Sequence, residues 1–135
     1  MSEPETGQPV WIECELVFAI HDRQLAEHGG AEGVRDETLL KSALARPLNQ
    51  LLYTGADIID LAAKYTVGIV QNHPFVDGNK RTGFVVGVLF LELNGYRFTA
   101  SEEDAAQAVL ELAAGTIDEN SFRDFLLANV EKNRG

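Results

Sequence analysis

Apolar residues recur along this chain at helical rather than alternating spacing, in blocks separated by glycine, proline or aspartate. Glu13 to His28 reads as a first helix, with Val17, Ile20, His21 and Leu25 near one stripe and Gly29-Gly30 closing it. Asp36 reads as the N-cap of a short helix from Glu37 to about Ala45, ended by the restriction that Pro47 places on Arg46. Residues 47–56, with Leu51, Leu52, Tyr53 and Gly55, then form an apolar connection. Asp57 can cap a helix to Asn72, along which Ile58, Leu61, Ala62, Tyr65 and Ile69 keep helical spacing.

From Phe84 to Leu93 the run Phe84, Val85, Val86, Val88, Leu89, Phe90, Leu91 and Leu93 leaves no polar stripe, which predicts a helix surrounded by the others. The β-branched residues also permit a buried strand, but the length of the block and Gly95 as its stop favour helix. Tyr96-Arg97-Phe98 reads as extended. Ser101-Glu102-Glu103-Asp104 opens a helix to Ala114, with Gly115 after it. Ser121 reads as the cap of a last helix that turns Phe122, Phe125, Leu126 and Val130 inward. The expected fold is all-α, a single domain of about six helices around a buried central helix. It should span 10–130, after a flexible lead-in over 1–9 and before a frayed tail over 131–135.

Composition sharpens this picture. A chain of 135 residues is most simply one domain. A domain of that size buries roughly two thirds of the surface its unfolded chain exposes. The formal charge of −10 disfavours direct contact with nucleic acid except at a local basic patch. The longest apolar run, Phe84 to Leu91, is far short of the roughly 20 residues a membrane span needs. Met1 to Pro9 lacks the basic and apolar regions of a signal peptide. The one cysteine, Cys14, has no internal partner and reads as a packing residue in a reducing compartment. A cytoplasmic protein is expected.

Candidate chemistry concentrates in His73-Pro74-Phe75-Val76-Asp77-Gly78-Asn79-Lys80-Arg81, directly before the apolar run. Pro74 disfavours α geometry at His73, so a helix arriving there should stop and leave the imidazole at a chain reversal. Asn79 reads as the N-cap of the next helix, whose first N–H groups, at Lys80, Arg81 and Thr82, would face an anion. Gly78 permits a tight turn and close backbone approach, and Lys80 and Arg81 add full charges beside the helix terminus, so Gly78, Asn79, Lys80 and Arg81 are the candidate phosphate- and nucleotide-binding residues. Asp77 offers a hard oxygen to Mg²⁺, which binds through one or two carboxylates plus substrate phosphates. His73 is the candidate general base, because imidazole ordinarily titrates near neutrality. A zinc site is disfavoured, since no cysteine or second histidine lies near His73 and Asp77 in sequence. His21, on an otherwise apolar face, reads as a structural histidine, His28 as surface, and Phe75 as a core plug.

His73-Pro-Phe-x-Asp-Gly-Asn-Lys-Arg resembles the signature of the Fic/Doc superfamily, and Lys80 resembles its death-on-curing (Doc) toxin branch. Ile20-His21-Asp22 with Gly29-Gly30, Leu89-Phe90-Leu91 with Asn94-Gly95, and the final amphipathic segment extend the likeness over nearly the whole chain after about residue 12. The resemblance implies a small helical toxin that uses ATP or another nucleoside triphosphate, with Mg²⁺, to modify a protein hydroxyl. Fic enzymes transfer an adenylyl group. The Doc branch transfers a phosphoryl group to a threonine of a translation elongation factor and is neutralised by an antitoxin. Here Lys80 stands where the adenylyl-transferring motif has glycine, and Phe84 stands where it has a second arginine, so phosphoryl transfer is expected. Pro74 and Gly78 stand where Doc-like sequences often have alanine. The alternatives are a Fic-type adenylyltransferase and a binding module that has lost catalysis, which the intact His73 argues against. Residues 47–56 correspond by that likeness to a flap beside the site. The built-in inhibitory pattern of some Fic proteins is missing, so inhibition should come from a separate partner.

Overall fold

Aspartate and serine side chains start four of the six helices in a computed structural model that describes residues 8–133. Asp36, Asp57, Ser101 and Asp118 each accept a hydrogen bond from the backbone N–H three residues on, which satisfies a donor the first helical turn leaves unpaired. The elements are α1 (Cys14–His28), α2 (Glu37–Thr54), α3 (Ile58–Asn72), α4 (Asn79–Leu93), β1 (Tyr96–Phe98), α5 (Glu102–Ala114), α6 (Glu119–Ala128) and β2 (Val130–Lys132). The fold is thus helical, with one small antiparallel ribbon in which Tyr96 pairs with Lys132 and Phe98 with Val130.

Several sequence expectations change. The short helix ending near Ala45 is instead an 18-residue α2 that runs through Pro47 and stops at Gly55 in the left-handed region. The proline forfeits one backbone bond, but it is buried, and Leu44 and Leu51 on either side pack against the core. Residues 47–54 are therefore helix rather than an irregular connection. Ser121 does not cap α6: Asp118 does, and Ser121 donates its N–H to Asp118. Glu131 and Lys132, expected in a frayed tail, are held by β1, and Asn133 donates its N–H to Gly95 O at 2.8 Å. The lead-in over 1–7 and the tail residues 134–135 lie outside the described residues.

The most buried helix is α3 rather than α4. Every residue from Leu61 to Val70 except Lys64 is buried, whereas Phe84, Val85, Val88 and Leu89 of α4 are only half covered. The reason lies in how closely the neighbours approach. A Cβ added to Gly68 of α3 would meet Ala43 of α2 at 3.1 Å, and one added to Gly83 of α4 would meet Val70 at 3.1 Å and Thr66 O at 3.2 Å. At Gly87 it would overlap Thr66 Oγ1 and meet Ala62 O at 3.1 Å. As numbers rise along α4 they fall along α3, so the two helices run antiparallel with almost no side chain between them. Thr66 Oγ1 cannot swing away without losing its 2.8 Å bond to Gly83 O.

Around this pair, α6 is tied to α3 by Arg123, which bonds Asp60 and Asp57, and by the Lys64–Glu119 ion pair. Cys14 is half-buried in α1; burial, with Glu37 adding to it, pushes its thiol up, in keeping with a packing role. Among the described residues no helix is long and apolar enough to cross a membrane.

Gly87→Ala provides a test of the close approach. In an open helix the change gains up to about 1 kcal/mol. Here it should cost about 1–3 kcal/mol through overpacking. Urea unfolding of the variant measures the sign, and equal or greater stability would refute the tight contact.

Candidate active site

The site is built on the six residues that join the C-terminus of α3 to the N-terminus of α4. His73 closes α3 at φ 49° and ψ 56°, the one non-glycine positive φ among the described residues. Left-handed geometry ends the helix sharply and turns the chain, which sends the imidazole outward to solvent. The following chain lies against the loop between α1 and α2. Pro74 O accepts the N–H groups of Arg35 and Asp36 at 2.7 and 3.0 Å, Val76 N–H donates to Gly33 O at 3.0 Å, and Phe75 bridges Val34.

Phe75 is the anchor. Its ring is fully buried and stacks on His21, centroids 3.7 Å apart and planes 8° from parallel, with the edge of Phe18 nearby. His21, only 3% exposed, donates its Nε2–H to Asp77 O at 2.8 Å, which fixes both the tautomer and the turn. The imidazole read as structural therefore supports the motif from beneath. Phe75 plugs the core as expected.

Asn79 departs from expectation. Gly78, left-handed at φ 80°, precedes the first helical residue, and no side chain caps α4. The carboxamide of Asn79, 7% exposed, turns back instead: Oδ1 accepts from Phe75 N and Nδ2 donates to Phe75 O, each at 3.0 Å. Its Nδ2 also lies 3.4 Å from His73 Nδ1, a distance too long to fix the His73 tautomer. Because Asn79 spends its side chain on the loop, it can offer an anion only its backbone N–H. Among the described residues the N–H groups of Asn79, Lys80 and Arg81 have no acceptor, whereas Thr82 N–H is taken by Gly78 O. The open donors therefore sit one residue earlier than the sequence implied.

Asp77 Oδ2 accepts from Ala31 N at 3.2 Å and Oδ1 from Gly78 N at 2.9 Å. These two bonds, the Ala31 one foremost, and the cations of Lys80 and Arg81 hold its carboxyl below the usual range, so it is ionised at neutral pH. Each oxygen keeps a lone pair, and the group is exposed. One ionised, accessible carboxylate beside an anion site suits Mg²⁺ shared with phosphates. No group of three or more His, Cys, Asp or Glu side chains among the described residues could enclose a metal alone. Lys80 and Arg81 are exposed and make no ion pair among the described residues.

These groups line one wall of a cleft of about 720 Å³. Gln24 and His28 at the end of α1 form its rim, and Phe84, Val85, Ala105, Ala106, Val109 and Leu110 give it an apolar wall between α4 and α5, with Glu102 at the mouth. The sequence gives no sign that His28 or the residues of α5 belong to the cleft. Only the packing of α5 beside α4 brings them here. The support that residues 31–35 give the motif carried no signal in the sequence beyond the glycines at 29, 30 and 33.

The fold and loop are those of one family. Residues 11–91 match the model of the Fic/DOC family, and the chain belongs to it. Among curated relatives it is 31% identical over 116 residues to the protein kinase Doc of Escherichia phage P1, covering 85% of this chain and 91% of that protein. It is 37% identical over 100 residues to the toxin Doc of Mycolicibacterium smegmatis, covering 70% and 75%.

Asn79→Ala should open the motif loop rather than simply weaken an anion contact. Both backbone groups of Phe75 are buried, and stranding them costs about 1–3 kcal/mol apiece. Faster hydrogen exchange at the Phe75 amide is the expected signature; unchanged exchange would mean that the carboxamide does not hold the loop.

Proposed function

We propose that this chain is a Doc-type toxin, a protein kinase that moves the γ-phosphoryl group of ATP to a serine or threonine hydroxyl of a target protein. The observation that carries the reading is the row of open N–H groups at Asn79, Lys80 and Arg81, set beside an exposed imidazole and an ionised carboxylate. The kinase activity of the phage P1 relative supports it.

In this reading the triphosphate lies across the start of α4, its oxygens taking the free N–H groups and the charges of Lys80 and Arg81. Asp77 would hold Mg²⁺, which when bound offsets charge on the transferring phosphoryl group. His73 takes the proton of the target hydroxyl as its oxygen bonds to the γ-phosphorus. The bond from that phosphorus to the β,γ-bridging oxygen breaks, leaving phosphoprotein and ADP. The loop then needs only to position the partners, which suits a reaction dominated by alignment and electrostatics.

Phe84 supports γ- over α-phosphoryl transfer. It lines the cleft with its ring against Phe98, centroids 5.5 Å apart, at the place where the adenylyl-transferring motif carries an arginine. The exposed, intact His73 speaks against a binding module without catalysis. The target is proposed to be a translation elongation factor, and the compartment the cytoplasm. An antitoxin segment, helical and apolar on one face, suits the wall from Phe84 to Leu110 and would keep the target from His73. The net charge of −10 disfavours a direct nucleic-acid role.

Incubation with ATP labelled at the α- or the γ-phosphorus tests the transfer: γ-label should appear on a target band in extract, and α-label alone would overturn phosphoryl transfer in favour of adenylylation. His73→Ala should lower the rate by roughly 10² to 10⁴ and relieve growth arrest; arrest equal to the parent's at equal expression refutes the assignment. Asp77→Asn should raise the Mg²⁺ concentration for half-maximal activity, and an unshifted Mg²⁺ titration would restrict Asp77 to holding Ala31 and Gly78.

A further inference from the structure

The C-terminus of α3 ends on a chemical shortage. Helices that close on a left-handed residue commonly recruit the N–H of the next residue to a carbonyl of the last turn, but here that residue is Pro74, which has none. Only His73 N–H turns back, to Ile69 O at 3.2 Å. The last carbonyls, at the negative end of the helix dipole, need donors from elsewhere. Arg35 provides them across the chain: its Nε–H donates to His73 O at 2.7 Å and its Nη2 to Asn72 O at 2.8 Å. The same residue's backbone N–H donates to Pro74 O at 2.7 Å. Three consecutive carbonyls, on both sides of the proposed base, therefore end on one arginine.

We infer that Arg35 is a positioning residue for His73. It fixes the left-handed backbone from which the imidazole projects, while lying outside the lining of the cleft. The planar fork of the guanidinium spans two neighbouring carbonyls, which a lysine ammonium at one point cannot reproduce. Since the bond lies at an exposed surface, its role is in the aim of the ring more than in the stability of the domain. This rests on His73 acting as proposed above.

The test compares Arg35→Ala, Arg35→Lys and His73→Ala in the full chain, with label transfer from γ-labelled ATP, survival of expressing cells, Mg²⁺-ATP affinity, melting temperature and the NMR signal of the His73 ring carbon-bound protons as readouts. Arg35→Ala should lower the rate of label transfer from γ-labelled ATP by about 10²-fold, the scale of a displaced catalytic group, and so raise survival. Its melting temperature should stay within about 3 °C, its ATP affinity should be unchanged, and the His73 signal should move and broaden. Arg35→Lys should fall between it and the parent. Arrest like the parent's, an unmoved His73 signal, or loss of activity only in step with loss of melting temperature or ATP affinity would each overturn the inference. If His73→Ala itself leaves arrest intact, the function proposed for His73 fails; the NMR signal still reads whether Arg35 holds the ring.

Discussion

Two helices pressed together with backbone against backbone govern this molecule. Gly83 and Gly87 of α4 lie on Thr66 and Ala62 of α3, so the axes approach more closely than side chains would allow. Because the pair is antiparallel and joined by only six residues, the carbonyl end of α3 lies next to the amide end of α4. Helix dipoles make the first end negative and the second positive. The proposed base hangs from one and the proposed phosphate site from the other, so the polarity of the reaction is laid down by helix packing before any side chain is considered.

The loop between them is secured by mutual support. Phe75 is gripped at its ring by His21 and at its backbone by Asn79, and His21 in turn carries Asp77 O. Asp77 reaches the other way to Ala31, joining the motif to the loop that follows α1. His21, Phe75 and Asn79 thus serve the loop itself, while Lys80, Arg81, the His73 ring and the free lone pairs of Asp77 are presented outward. In a chain of net charge −10 those cations, together with the first amides of α4, define where an anion can settle.

Local chemistry was legible in the sequence wherever one residue decides the outcome. The caps at Asp36, Asp57 and Ser101, the stop at His73-Pro74 and the closing glycines at 29 and 115 all act within one turn. Position within a turn was less legible. Asp118 and Ser121 both resemble caps, and only the folded helix shows that Asp118 takes the role. Pro47 misled for another reason: its cost is local, whereas the burial that outweighs it comes from the packing of α2 on the core, where Ala43 meets Gly68 of α3, a contact distant in sequence. The motif residues were found from spacing, but their division of labour was not. Asn79 read as a helix cap, but its side chain braces the loop and leaves its N–H for an anion, while Arg35 and the α5 wall carried no signal because their partners are tens of residues away.

The far end of α4 has its own consequence. The side chain of Asn94 accepts Val10 N–H and donates to Val10 O, while Gly95 O receives the N–H of Asn133. The first and last described stretches thus meet at this end of α4, about 20 Å along the helix from the motif at 1.5 Å of rise per residue. A force applied through Val10 or Asn133 would therefore be borne by Asn94 and Gly95, at the opposite end of α4 from the proposed catalytic loop.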